Sequence, residues 1–316
     1  MKVSPPDHPF AHARRIDGRF VNKSGRAVTR GDVWRLLRTH DPAPWPEQIP
    51  HRQAEKPVTR VTDGIRITPM GHATVLLQTA GLNILTDPMW SERAGPTRWL
   101  GAKRRCPPPL ALDDLPPIDV VLLSHCHYDH LDRATLAWLE QRDGPRLITG
   151  LNVGAITPCR NVRELDWWHS EALGGGVTTT YVPAEHGSAR GLFDQNKSLW
   201  GGFVIETPAG TIYFAGDTAF GEHFAAIRER FGSPDVSLLP IGAYLPRWFM
   251  SIVHMDAHQA VEAASILQSR VTLPIHYGVF HLADDGYHEP LETLNAALSG
   301  SDLDVRVPAF GDAVHI

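Results

Sequence analysis

From Ile65 onward the chain sets short apolar runs between glycine, proline and aspartate. IRITPM, ATVLLQT, LNILTD and IDVVLLS, bounded by glycine, proline or aspartate, are predicted to be strands. The second half repeats the pattern in VTTTYVPA, LWGGFVIET, TIYFAG, DVSLLP and VTLPIHY. Between them, DRATLAWLEQR, GEHFAAIRERF and DAHQAVEAASILQ carry apolar residues at helical spacing, and Asp132 is placed to cap the first. Strand clusters followed by alternating strands and helices predict two packed sheets with helices outside, an α+β arrangement. Residues 1–60 differ, being rich in proline and charge with one short helical stretch at DVWRLLR. They are read as an extension packed on a domain spanning 61–316.

Composition changes this picture little. With 316 residues, 42% of them apolar, the chain can bury a large core. The net charge of -5 and the scattered basic residues give no footprint for nucleic acid. The local run Lys103, Arg104, Arg105 is read as a solvated loop able to meet lipid phosphates. The three cysteines, Cys106, Cys126 and Cys159, form no C-x-x-C pair and no even disulfide framework, so a reducing, cytoplasmic setting is expected. The N-terminus MKVSPPDHPFAHARR lacks the apolar core of a signal peptide, and no later segment holds about 18 uninterrupted apolar residues. At most peripheral membrane contact is expected.

The chemistry concentrates in SHCHYDH, residues 124–130. If a strand ends at Ser124, irregular backbone beyond it can aim His125, His127, Asp129 and His130 at one small volume, which a regular helix cannot do. Imidazole and carboxylate suit zinc and similar divalent ions. His186, Asp217 and His276 also follow apolar runs, so all could converge on one rim, where Asp217 has two oxygens with which to bridge two ions. Cys126, between two of the histidines, is expected to point away.

SHCHYDHLD is similar to the dinuclear metal motif of the metallo-β-lactamase superfamily. The longer strings LPPIDVVLLSHCHYDHLD, ELDWW, YFAGDT, LPIGAYLPRWFM and the PIHYG region resemble the N-acylphosphatidylethanolamine-hydrolysing phospholipase D family, with a weaker echo in GRFVN. The resemblance runs from about Ile65 to Leu298. It implies an αββα four-layer sandwich with two Zn2+ on one edge, Fe or Mn being substitutes. His125, His127 and His186 would hold the first ion; Asp129, His130 and His276 the second; Asp217 would bridge them. The animal members suggest a homodimer.

Two ions about 3.5–4 Å apart can ionise a bridging water near neutral pH, and the resulting hydroxide would attack a phosphodiester in line. The expected activity is that of a phospholipase D, giving N-acylethanolamine and phosphatidic acid, with Asp129 and Asp217 in catalytic positions. Asp87 is either a turn aspartate before Pro88 or the acceptor for a ligand imidazole, and His72, at a strand start near the same rim, is either a supporting residue of the site or a purely structural one. His254 falls where the family places a substrate-facing histidine, able to bond the phosphate or protonate the leaving oxygen; it could equally be a residue approaching a helix capped by Asp256. Tyr244, Arg247 and Trp248 are candidates for contact with a phospholipid, or parts of a buried crossing. Two other functions compete: a metal-dependent lactonase of the sugar-phosphate type, and a non-catalytic lipid-binding protein.

Overall fold

The computed structural model describes residues 12–50, 52–191 and 193–316. The stretch before residue 12, which carries most of the N-terminal string MKVSPPDHPFAHARR, lies outside the described residues. Strand Val120–Leu123 shows why the chain builds layers. All four residues are buried: Val120 and Leu122 enter the core between the sheets, while Val121 and Leu123 pack with Leu136 and Leu139 of helix Arg133–Arg142. A strand covered on both faces must be apolar at every position, and VVLL is.

Two sheets result. The first has seven strands, in the order Val162–Leu165, Arg146–Gly150, Val120–Leu123, Leu82–Thr86, Thr74–Thr79, Ile65–Gly71 and Val314–His315. The second has six, in the order Ser170–Gly174, Val177–Val182, Gly202–Thr207, Gly210–Phe214, Val236–Pro240 and Val271–Ile275. Their inner faces meet through Ile67, Val75, Leu77 and Ile84 on one side and Phe203, Ile205 and Phe214 on the other. Helix Ala257–Leu267 covers the second sheet with its buried face of Ala260, Ala263, Ala264 and Leu267. The fold is therefore the αββα sandwich, helices outside and sheets within.

The caps follow the sequence. The Asp132 side chain accepts from Ala134 N, and Asp256 and Gln259 form a reciprocal capping box. The DVWRLLR stretch lies in helix Arg30–Thr39, which Thr29 and Asp32 open with a capping box that the sequence pattern does not single out. Strands Arg146–Gly150 and Val162–Leu165, the hairpin Arg93–Thr97 with Leu100–Lys103, and helix Glu289–Ala297 also go beyond the predicted elements. These are short or mixed in polarity, so no apolar run marks them.

Strand sense decides where the chain's turns gather. Leu82–Thr86 and Val120–Leu123 are parallel, and Ile65–Gly71 is related to Leu82–Thr86 by two antiparallel steps, so it runs the same way. In the other sheet Gly210–Phe214, Val236–Pro240 and Val271–Ile275 are parallel, and Val177–Val182 shares their direction through two antiparallel steps. The C-terminal ends of like-directed strands form one rim in each sheet.

Leu267 closes the end of its helix fully buried. Leu267→Ala is expected to lower unfolding free energy by about 2–5 kcal/mol, measured by denaturant titration; a loss near zero would show that this layer does not carry the core.

Candidate metal centre

Every histidine and carboxylate of the centre lies just beyond the C-terminal end of one of these strands. His72 follows Ile65–Gly71, Asp87 follows Leu82–Thr86, and His125 to His130 follow Val120–Leu123. His186, Asp217 and His276 follow Val177–Val182, Gly210–Phe214 and Val271–Ile275. The backbone must turn sharply to aim these side chains inward. His72, Asp87 and His276 have φ of 56°, 33° and 60°, in the left-handed region that non-glycine residues adopt at local cost. Gly216, at φ 60°, lets the Asp217 turn approach the Ser124 side chain, where a Cβ would stand 2.7 Å from Ser124 Cβ.

Two clusters form. In the first, His127 Nδ1 lies 2.9 Å from His125 Nε2 and 3.1 Å from His186 Nε2. In the second, Asp129 Oδ2 lies 2.9 Å from His72 Nε2 and 3.3 Å from the Nε2 atoms of His130 and His276. Asp217 stands between them, its Oδ2 3.0 Å from His130 Nε2, 3.1 Å from His276 Nε2 and 3.8 Å from His186 Nε2.

A surrounding layer sets the tautomers. His130 Nδ1 donates to Asp87 Oδ2 at 2.6 Å. Ser124 Oγ also donates to Asp87 Oδ2, so the hydroxyl can accept the proton of His125 Nδ1, 2.9 Å away. His186 Nδ1 donates to the Val253 carbonyl at 2.8 Å. Each of these bonds turns the Nε2 of its ring toward the centre. Asp87 thus takes the hydrogen-bonding position, and His72 bonds Asp129 directly. Ser124 is not among the residues the sequence singles out for this centre, although it immediately precedes the first histidine.

Electrostatics point to a cation. Burial opposes charge on Asp129 and Asp217, but His130 and His276 outweigh it and hold both carboxyls well below the usual range. Burial also opposes charge on these two histidines, yet the same carboxylates raise His130 well above the ordinary imidazole value and His276 to about 9. Elsewhere burial dominates: His72 and His127 fall to about 3, and His125 falls well below its ordinary value. His127 Nδ1 can hydrogen-bond only one of His125 Nε2 and His186 Nε2 at a time, whereas a shared cation would engage all three nitrogens at once. Bonds of about 2.0–2.1 Å to a tetrahedral ion put neighbouring ligand nitrogens about 3.3 Å apart, close to the spacing found. Among the described residues, buried His130 Nε2 and Asp217 Oδ1 have no hydrogen-bond partner, as expected of atoms that could hold a metal. The residues fit divalent ions.

The remaining candidates are distributed differently. His254 joins the rim, its Nδ1 4.0 Å from Asp217 Oδ2 and without a hydrogen-bond partner among the described residues. Tyr244, Arg247 and Trp248 are not brought to the clusters. Tyr244 Oη meets Thr293 Oγ1 at 3.3 Å, and Trp248 lies under the Arg35 guanidinium at 4.1 Å. Arg247 pairs with Asp256 at 3.3 Å and donates to Gln259 Oε1 and to the His254 carbonyl, so it braces the His254 turn. Cys126 is buried in the outer apolar cluster, with Ser198 Oγ 3.1 Å from its sulfur. Another bracing residue carries no signal in the sequence: Arg190 Nη1 donates to the carbonyls of Cys126 and Leu131 and its guanidinium stacks 4.0 Å from the Tyr128 ring, holding the histidine turn from outside.

Comparison with known proteins identifies the family and the fold. The family profile described as "Beta-lactamase superfamily domain" matches residues 82–277. The chain belongs to the metallo-β-lactamase superfamily. Within it the chain falls in the N-acylphosphatidylethanolamine-hydrolysing phospholipase D-like family. It is 36% identical over 315 residues to N-acyl-phosphatidylethanolamine-hydrolyzing phospholipase D 1 of Caenorhabditis elegans, covering 92% of this chain and 87% of that one. It is 35% identical over 223 residues to the mitochondrial enzyme of that name from Saccharomyces cerevisiae, covering 68% of this chain and 47% of that one. Among solved structures, a metallo hydrolase from the archaeon Ignicoccus hospitalis shares the fold with a TM-score of 0.62 at 24% identity, over 80% of this chain and 98% of that one. The protein is a hydrolase of the metallo-β-lactamase type, with histidine and aspartate clusters able to bind metal.

Asp87→Asn replaces the carboxylate that fixes His130 and, through Ser124, His125. It is expected to weaken divalent-cation binding about 10–100-fold in titrations of chelator-stripped protein; unchanged affinity would remove Asp87 from this role.

Proposed function

We propose that this protein is a zinc-dependent phosphodiesterase of the phospholipase D type, acting on N-acylphosphatidylethanolamine to give N-acylethanolamine and phosphatidic acid. What carries the reading is the 36% identity to the C. elegans enzyme across 92% of the chain, joined to seven ligand-type side chains gathered at one rim. His125, His127 and His186 would hold one Zn2+, Asp129, His130 and His276 the other, and Asp217 would be shared. When bound, such a pair supplies Lewis acidity and a strongly nucleophilic water at neutral pH.

The chain's own residues do the rest. Asp217, within 3.8 Å of imidazoles from both clusters, ties the two halves together. Asp129 is held from three sides by His72, His130 and His276, which limits its rotation. His254 has an unpaired Nδ1 beside Asp217, placed to donate to a phosphate oxygen or to the departing alkoxide. Its carbonyl and amide are fixed by Arg247 Nη1 and by the Met250 carbonyl, so the ring's approach is set by the fold.

A phospholipid substrate implies contact with a bilayer surface. Among the described residues, no helix is long and apolar enough to cross a membrane. Trp34 and Leu37 on helix Arg30–Thr39, and Trp99 and Leu100 on the hairpin turn, are exposed apolar residues. Basic Arg38, Arg98 and Lys103 lie on the same two elements, a combination suited to an anionic interface.

Asp217→Asn is expected to abolish most turnover and to loosen the metals, read by activity and metal content together; near-normal rates with full metal would refute the shared-ligand role. In a panel of N-acylphosphatidylethanolamine, lactones and nucleotides, only the phospholipid should be cleaved, and cleavage of a lactone alone would overturn the assignment. Changing Trp34 and Trp99 together to serine should reduce co-sedimentation with vesicles of phosphatidylethanolamine and phosphatidic acid; wild-type binding would place the lipid contact elsewhere.

A further inference from the structure

GRFVN, near the start of the chain, is a motif that the hydrolytic chemistry leaves unused. Its last residue, Asn22, is buried 164 positions before His186 and yet bonds to it. Asn22 Nδ2 donates to the His186 carbonyl at 2.7 Å, and the His186 amide donates to Asn22 Oδ1 at 3.1 Å. The same Oδ1 accepts from Trp200 Nε1 at 3.1 Å, and the same Nδ2 donates to the Arg26 carbonyl at 3.3 Å. Both donors and both acceptor positions of the amide are thus engaged.

His186 needs such support. It lies four residues past its strand, in irregular backbone, with no ladder of its own. Its ring is fixed from the far side by the Val253 carbonyl. With the backbone clamped by Asn22 and the ring clamped by Val253, Nε2 is delivered 3.1 Å from His127 Nδ1. The arm is itself anchored. Phe20 is buried in the main core and its amide donates to the Asn196 carbonyl at 2.8 Å, while the Ser24 amide and hydroxyl donate to the Glu185 carboxylate next to His186.

We propose that Asn22 is a positioning residue for the cation site of His125, His127 and His186, so that the N-terminal arm completes a metal centre whose ligands all come from the sandwich. The proposal rests on the two-cluster reading of the centre and not on the lipid substrate, so its test reads cation binding alone. Full-length wild type, Asn22→Ala and Asn22→Asp are stripped with a chelator and titrated with Co2+. Stoichiometry is followed by equilibrium dialysis and the ligand field by visible absorption. Leu267→Ala, at the opposite end of the second sheet, controls for general loss of stability. Wild type should take up two ions. Asn22→Ala should bind one of them about 10–100-fold more weakly and the other unchanged. Asn22→Asp keeps the size and the acceptor oxygen but cannot donate to the His186 carbonyl, and should weaken the same single site. Leu267→Ala should bind both ions as wild type does. Unaltered binding by both Asn22 variants, or equal weakening of both sites, would overturn the clamp. Fewer than two ions in wild type would overturn the two-cluster reading and the clamp with it.

Discussion

Two carboxylates close together among imidazoles, Asp217 buried and Asp129 largely so, govern this structure. Asp129 and Asp217 are screened from water, where a charge without compensation is costly to bury. The fold meets that cost chiefly with His130 and His276, whose imidazoles the carboxylates hold above their ordinary value, while His72 hydrogen-bonds Asp129. A divalent cation that displaced the protons of His130 and His276 would keep both aspartates ionised, so the cluster is able to bind metal.

That cluster depends on strand direction. Its residues come from six separate strand ends, three in each sheet, and they meet only because those strands run the same way. The sandwich brings the two rims together, and the buried apolar faces keep them in register. Asp87 and Ser124 then convert proximity into orientation, since one carboxylate serves His130 directly and His125 through the hydroxyl. The turns themselves are held from outside, by Arg190 behind the histidine motif and Arg247 behind His254.

Local conformational cost is concentrated at the same place. Left-handed φ at His72, Asp87 and His276 is tolerated because each residue is fixed by several bonds at once, as with His276, whose amide donates to the His72 carbonyl while its ring meets Asp129 and Asp217. A centre assembled this way is pre-organised. The hydrogen bonds that surround the candidate ligands fix their side-chain directions, and His254 stands at the edge with its Nδ1 unpartnered among the described residues.

Much of this is legible in the linear order of residues. Apolar runs bounded by turn formers mark most strands of both sheets, though not Arg146–Gly150 or Val162–Leu165, and the crowding of His125, His127, Asp129 and His130 marks the candidate metal motif, because such residues serve no packing purpose at a strand end. Asp87 and His72 stay open between two readings until the fold chooses. The sequence could not reveal Asn22 against His186, Arg190 across the histidine turn, or Arg247 turned away from the centre toward Asp256, since each of these contacts joins segments distant along the chain or depends on side-chain direction. Periodicity is a local property and survives in one dimension. Which strand ends share a rim, and which side chains face each other across it, is decided by strand sense and sheet packing, and these exist only once the chain has closed on itself.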